Sequence, residues 1–161
     1  MEEEKNTETN TKGKILVSAC LLGIKCKYNG RDNKNNKVIE YLKGRDYIKI
    51  CPESMGGLKS PRLPSEIEYG YDGRDVIEGR AKVFGQDGSD LTKEFLSGAK
   101  VCIELAKKYD VGLAILKESS PSCGGSKIYT GKFEDEKKAG QGVTASLFKM
   151  NGIRVLSEEN I

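Results

Sequence analysis

The sequence predicts a single-domain α/β sandwich with a mainly parallel sheet, and three observations carry that expectation. Three apolar runs, Lys14–Cys20, Tyr47–Cys51 and Leu113–Leu116, break off at small residues, a cysteine or a proline, as buried strands do where they enter loops. Between them lie segments of helical spacing, which makes the strands parallel. The chain has 161 residues, the size of one domain with an adequate core.

Residues 1–13 are polar, charged and without apolar period, so a disordered tail is expected there and one domain over 14–161. The first strand starts near Lys14 and ends at Cys20; a turn-rich loop through Cys26 and Tyr28–Asp32 follows. Asn36 caps a predicted helix whose apolar face is Val38, Ile39 and Leu42, with Gly44 as its stop. The second strand ends at Cys51 because Pro52 cannot donate to a sheet ladder. Ser54 to Pro64, with two glycines and two prolines, predicts an irregular loop. Ile67–Tyr71 and Ala81–Phe84 read as short edge strands around a Tyr-Asp-Gly turn. The clearest helix runs from about Leu91 to Tyr109, with Asp90 or Thr92 as cap and Phe95, Ala99, Cys102 and Ala106 on one face. Cys102 on that stripe is a packing residue. After the third strand comes the loop Glu118–Gly125, then a mobile flap over Lys132–Gly140, a helix over Gly142–Asn151 and a last strand over Ile153–Leu156. There is no internal repeat.

The net charge of +3, from 27 basic and 24 acidic residues, is too balanced to suggest nonspecific nucleic-acid binding. No apolar run approaches the roughly 18 residues a membrane helix needs, and the N-terminus is acidic where a signal peptide is basic. The expected location is therefore the cytoplasm, where thiols stay reduced and five cysteines point to metal binding or reactivity. Histidine is absent, which removes Cys-His zinc patterns and Ser-His triads.

Cys20, Cys51 and Cys123 each sit where a predicted strand hands over to a loop. In a parallel sheet these ends share one edge, the edge at which open α/β sheets bind ligands. Three thiolates without histidine suit zinc or an iron-sulfur centre. Zinc needs a fourth ligand, which Cys26 is able to supply, whereas a cubane on three cysteines leaves one iron open. The plainer reading is three buried thiols; a metal-free sulfur carrier is another.

The segments Val17-Ser-Ala-Cys-Leu-Leu-Gly23, Ile50-Cys-Pro-Glu53 with Gly56-Gly57 and Pro61-Arg62, Ser120-Pro-Ser-Cys-Gly124, Gln141-Gly-Val-Thr-Ala145 and Ser157-Glu-Glu-Asn160 resemble, in order, the small bacterial family that contains the thiouracil desulfidase TudS. The resemblance implies a 4Fe-4S cluster on Cys20, Cys51 and Cys123 at the C-terminal strand ends. It also implies hydrolytic, non-redox removal of sulfur from a thiolated pyrimidine base or nucleotide, the fourth iron taking the sulfur. On the same basis Glu53 is the acid/base and Ser120 a reacting or relaying group; Ser122 is assigned to a base oxygen and Arg62 to a phosphate. The competing reading is a non-enzymatic zinc or cluster sensor, in which Cys26 is a fourth ligand and Glu53 dispensable. No nucleic-acid or membrane partner is expected, and the sequence is silent on oligomeric state.

Overall fold

The computed structural model describes residues 13–161, so the expected tail lies, apart from Gly13, outside the described residues. In chain order the elements are β1 (Ile15–Ser18), a 3-10 turn (Ala19–Leu22), α1 (Asn36–Leu42), β2 (Tyr47–Ile50), α2 (Pro52–Met55), β3 (Ser65–Ile67), α3 (Gly73–Ile77) and β4 (Val83–Gly85). They continue with α4 (Thr92–Lys108), β5 (Leu113–Ile115), β6 (Lys127–Tyr129), β7 (Lys137–Ala139), α5 (Val143–Met150) and β8 (Arg154–Leu156).

The central sheet has the order β2-β1-β5-β8. Every pairing is parallel, with Ser18 opposite Ile50, Val17 opposite Ile115 and Ile115 opposite Leu156. All four C-terminal ends therefore open on one edge. β1 is buried along its whole length because both faces are covered. Leu16, Ala114 and Leu116 pack with Ile103, Ala106 and Phe148 of α4 and α5 on one face, and Ile15, Val17 and Ile115 pack with Val38 and Leu42 of α1 on the other. Cys102 is fully buried in the first of these clusters, as expected for packing.

Several elements differ from expectation. The cap of α1 is Asn35, whose side chain accepts from the Val38 N–H at 3.1 Å, one residue before the expected Asn36. Pro52 both ends the strand and starts α2, since its missing N–H costs nothing at a first helical position. A short helix thus precedes the irregular loop. The expected edge strands shift to β3 and β4, which pair antiparallel, and α3 separates them in place of a simple turn. Asp72 and Asp75 form its capping box: Asp75 Oδ2 accepts from the Asp72 N–H at 3.0 Å, and Asp72 Oδ1 accepts from the Arg74 N–H at 3.1 Å. Five residues with one fully buried apolar side chain, Val76, carry too little periodicity to reveal a helix. At α4 the cap position is Leu91, while Asp90 Oδ1 accepts from the Thr92 N–H at 3.0 Å. The expected flap is part of a β6–β7 hairpin.

One close approach fixes α2. A Cβ on Gly98 would meet the Pro52 carbonyl oxygen at 1.9 Å, and one on Gly56 would meet the Glu94 carbonyl oxygen at 2.0 Å. Backbone touches backbone where α2 crosses α4, so neither position admits a side chain. Gly98→Ala is expected to lower stability by about 1–3 kcal/mol through overpacking, measured as a drop in urea midpoint. Unchanged stability would mean that α2 can shift freely.

Candidate active site

Each expected thiol arrives by its own piece of backbone. Cys20 lies in the 3-10 turn after β1, which Gly23 ends with φ of 96°. Cys51 stands between β2 and α2, and Cys123 follows β5 in the turn Ser120–Gly124, 4% exposed. With Cys26 they line one cavity of about 380 Å³ above the C-terminal edge of the sheet. Cys102 lies outside it, with its sulfur 3.6 Å from Met55 Sδ. Cys26 had no strand-end signal, yet it lines the cavity, and the Cys51 thiol lies 3.9 Å from its backbone carbonyl oxygen, to which it donates.

These contacts differentiate the thiols. Chiefly through the neighbouring Cys26 thiol, and despite burial, Cys20 falls below the ordinary thiol range and Cys51 falls to about 6, the Ser54 hydroxyl and N–H adding to the latter. Cys26 is correspondingly pushed up, and burial raises Cys123. Cys102, buried without such partners, goes up to about 12.

Glu53 faces the same cavity from α2, and its carboxylate is clamped on both sides. Arg62 donates to Glu53 Oε1 from Nε at 3.1 Å and from Nη2 at 2.8 Å, with both side chains 12% exposed. Arg62 also donates to the carbonyls of Lys59 (from Nη1 at 2.9 Å) and Cys26 (from Nη2 at 3.1 Å), so protein acceptors engage four of its five N–H groups. It is not the exposed surface residue of the plainer reading. On the other side Ser122 Oγ donates to Glu53 Oε2 at 3.1 Å and lies 3.0 Å from Ser120 Oγ. Because Ser122 has one hydroxyl proton, giving it to Glu53 leaves Ser120 as the donor to Ser122. Ser120 Oγ also accepts from the N–H groups of Ser122 (3.1 Å) and Cys123 (3.0 Å). The bland reading of these serines, satisfying loop backbone, is thus part of what Ser120 does.

The loop that carries Cys123 is built around a carboxylate. Glu118, 2% exposed, accepts through Oε1 from the N–H groups of Gly125 (2.8 Å), Ser126 (2.9 Å) and Lys127 (3.1 Å), and through Oε2 from the Ser126 hydroxyl (2.8 Å). The helix α5 holds the other side: Val143, Thr144 and Ala145 donate N–H bonds to the carbonyls of Pro121 and Ser122. A Cβ on Gly142 would meet the Cys123 backbone nitrogen at 2.9 Å. The Gln141–Ala145 motif therefore reads physically as the seat of the cysteine loop. In the terminal motif, Glu158 accepts from the Glu118 N–H at 2.9 Å and pairs with Lys117 at 3.2 Å.

Burial alone would raise the Glu118 carboxyl, but the donors from Ser126, Lys127 and Ser119 outweigh it and hold it at about 2 against an ordinary 4.5. A depressed folded-state value adds stability that is present above pH 4.5 and lost as pH falls toward 2. Glu118→Gln should therefore lose stability relative to wild type at neutral pH, with the gap narrowing across that acid range. Urea midpoints of both proteins at several pH values check this. A gap independent of pH would contradict it.

The residues that sequence reasoning missed are Lys117 and the hairpin residues Tyr129 and Phe133, all on the cavity wall beside Cys26, the thiol offered as a fourth ligand. Lys117 directly follows a strand end, a usable signal; the hairpin residues had none. The donor set suits a soft, multinuclear centre. The cavity wall offers four sulfurs, the chain has no histidine, and among the described residues no three His, Cys, Asp or Glu side chains are gathered for a single metal ion. A group several ångströms wide fits such separated thiols better than one zinc ion does.

A model of the 2-thiouracil desulfurase family matches residues 15–160. The uncharacterized protein YbbK of Bacillus subtilis (strain 168) is 43% identical over 147 residues, covering 91% of this chain and 97% of that protein. Among solved structures, the [4Fe-4S]-dependent thiouracil desulfidase TudS is similar with a TM-score of 0.80 and 38% identity, over 92% of this chain and 93% of its own.

Proposed function

The chain belongs to the 2-thiouracil desulfurase family, and on that premise we propose that it is a 4Fe-4S-dependent desulfidase whose reaction is hydrolysis of a thiolated pyrimidine to a uracil-type product and hydrogen sulfide. The observation that carries the reading is the Glu53 carboxylate, fixed between Arg62 and Ser122 on the wall of a cavity that four cysteines share. The family does not favour a non-enzymatic sensor.

Cys20, Cys51 and Cys123 are the residues that would hold the cluster, and Cys26 lines the same cavity, its carbonyl against the Cys51 thiol. When bound, the cluster supplies a soft Lewis acid for the thiocarbonyl sulfur. The chain's own residues do the proton work. Glu53 takes a proton from the attacking water and returns it to the departing sulfur, so carbon exchanges sulfur for oxygen with no change in electron count. Arg62 keeps Glu53 in place, and Ser122 fixes the second carboxylate oxygen. Ser120, at the end of the Ser120–Ser122–Glu53 chain, orients substrate or relays a proton. The substrate of this reading is a thiolated pyrimidine, free base or nucleotide, seated in the cavity that these residues line. Among the described residues no helix is long and apolar enough to cross a membrane, and a reducing cytoplasm would keep these thiols available.

Anaerobic reconstitution followed by iron and acid-labile sulfide analysis, then sulfide release from 2-thiouracil and 4-thiouridine monophosphate, tests the proposal. Cluster uptake with sulfide release supports it and ranks the substrates. Cluster uptake without release from either compound would count against it.

A further inference from the structure

Glu66 is one of four carboxylates on the cavity wall, with Glu53, Glu118 and Asp135, and the reaction above makes no use of it. It lies in β3 opposite Phe84 and is 8% exposed. Its Oε1 accepts from the N–H groups of Gly131 (2.9 Å) and Phe133 (3.1 Å) in the β6–β7 connection. That connection also rests on β3 by direct backbone contact: Gly131 has φ of 101°, and a Cβ there would meet the Ile67 carbonyl oxygen at 2.5 Å. Oε2 differs from its twin. It has no hydrogen-bond partner among the described residues, and it is not among the sealed unpaired atoms, which are Ser119 Oγ and Thr144 Oγ1. A mostly buried carboxylate thus keeps one accessible oxygen that only accepts, in a residue lining the site.

We propose that Glu66 binds substrate: Oε2 accepts a hydrogen bond from the pyrimidine N3–H, while Oε1 holds the hairpin that brings Phe133 to the same cavity. This rests on the desulfidase reading. N3 lies between C2 and C4, so its N–H neighbours the thiocarbonyl carbon whether sulfur is at position 2 or 4. A pure acceptor there selects the N–H thione form and leaves an N3-alkylated ring without its partner. The hairpin and the base are read by two oxygens of one side chain, so the same residue that anchors the wall seats the ring.

The test compares 2-thiouracil with 3-methyl-2-thiouracil in reconstituted wild type and Glu66→Gln, with hydrogen exchange of residues 130–136 in both. Glutamine keeps an acceptor for the two hairpin N–H groups but can present an NH2 donor to N3–H. The expected result is unchanged exchange in the hairpin, KM for 2-thiouracil raised about tenfold to hundredfold and kcat affected less. Wild type should prefer the unmethylated ring by at least about tenfold, and Glu66→Gln should lose that preference. Wild type that uses both rings equally overturns the inference without any variant, as does Glu66→Gln with wild-type KM. Wild-type holoprotein that neither binds uracil nor releases sulfide overturns the desulfidase reading, and this inference with it.

Discussion

Glu53→Gln is expected to bind the cluster at wild-type iron and sulfide content while releasing sulfide about 10²–10⁴ times more slowly. The argument is local. Glutamine keeps a carbonyl oxygen for Arg62 and an amide able to donate to Ser122, so the clamp survives in outline. It removes the one group in the network placed to accept a proton from water. Arg62, 12% exposed at its side chain, loses its counter-charge, so a lower thermal midpoint should accompany the change. Iron content separates the two effects. A variant with full cluster and near-wild-type rate would remove Glu53 from the mechanism, and one that loses iron would make its role structural.

Cys123→Ser should lose both iron and activity, whereas Cys102→Ser should keep both. The two residues are comparably buried, at 4% and 0% exposure, so burial does not distinguish them. Position does. Cys123 faces the cavity on a loop held by Glu118, Ser120 and α5, and serine offers iron a hard oxygen in place of a soft thiolate. Cys102 sits in the core between α4 and the sheet, where a hydroxyl would go largely unmatched. Its replacement should cost about 1–3 kcal/mol without touching the centre. Iron per chain and urea midpoint read the two outcomes. Retained cluster in Cys123→Ser would mean that another group, Cys26 first, completes the ligand set.

What was legible in the sequence is what one strand and its end can encode. The runs before Cys20 and Cys51 and the run Leu113–Leu116 declared themselves by abrupt stops, and a parallel sheet then placed their ends together. Cys102 was legible because one helical stripe decided it. Groups brought together across the chain were not. Arg62 meets Glu53 nine residues away through an irregular loop, and Ser122 meets it from 69 residues away, so neither bond has a local signature. Cys26 lies in a loop whose path no periodicity defines. The helix α3 escaped because its cap is Asp72 with Asp75, a pairing that reads equally as a turn. The flap expected over Lys132–Gly140 rested on polarity alone, and polarity does not reveal the backbone ladder of β6 and β7.

The central claim is that water replaces sulfur without net electron transfer. The most direct measurement is turnover of 2-thiouracil by reconstituted protein in ¹⁸O-labelled water, without added reductant, with mass analysis of the pyrimidine and titration of sulfide. The account predicts one labelled oxygen per uracil, at the carbon that carried sulfur, and one sulfide per uracil. Unlabelled product, or turnover that begins only when an electron donor is supplied, would contradict it.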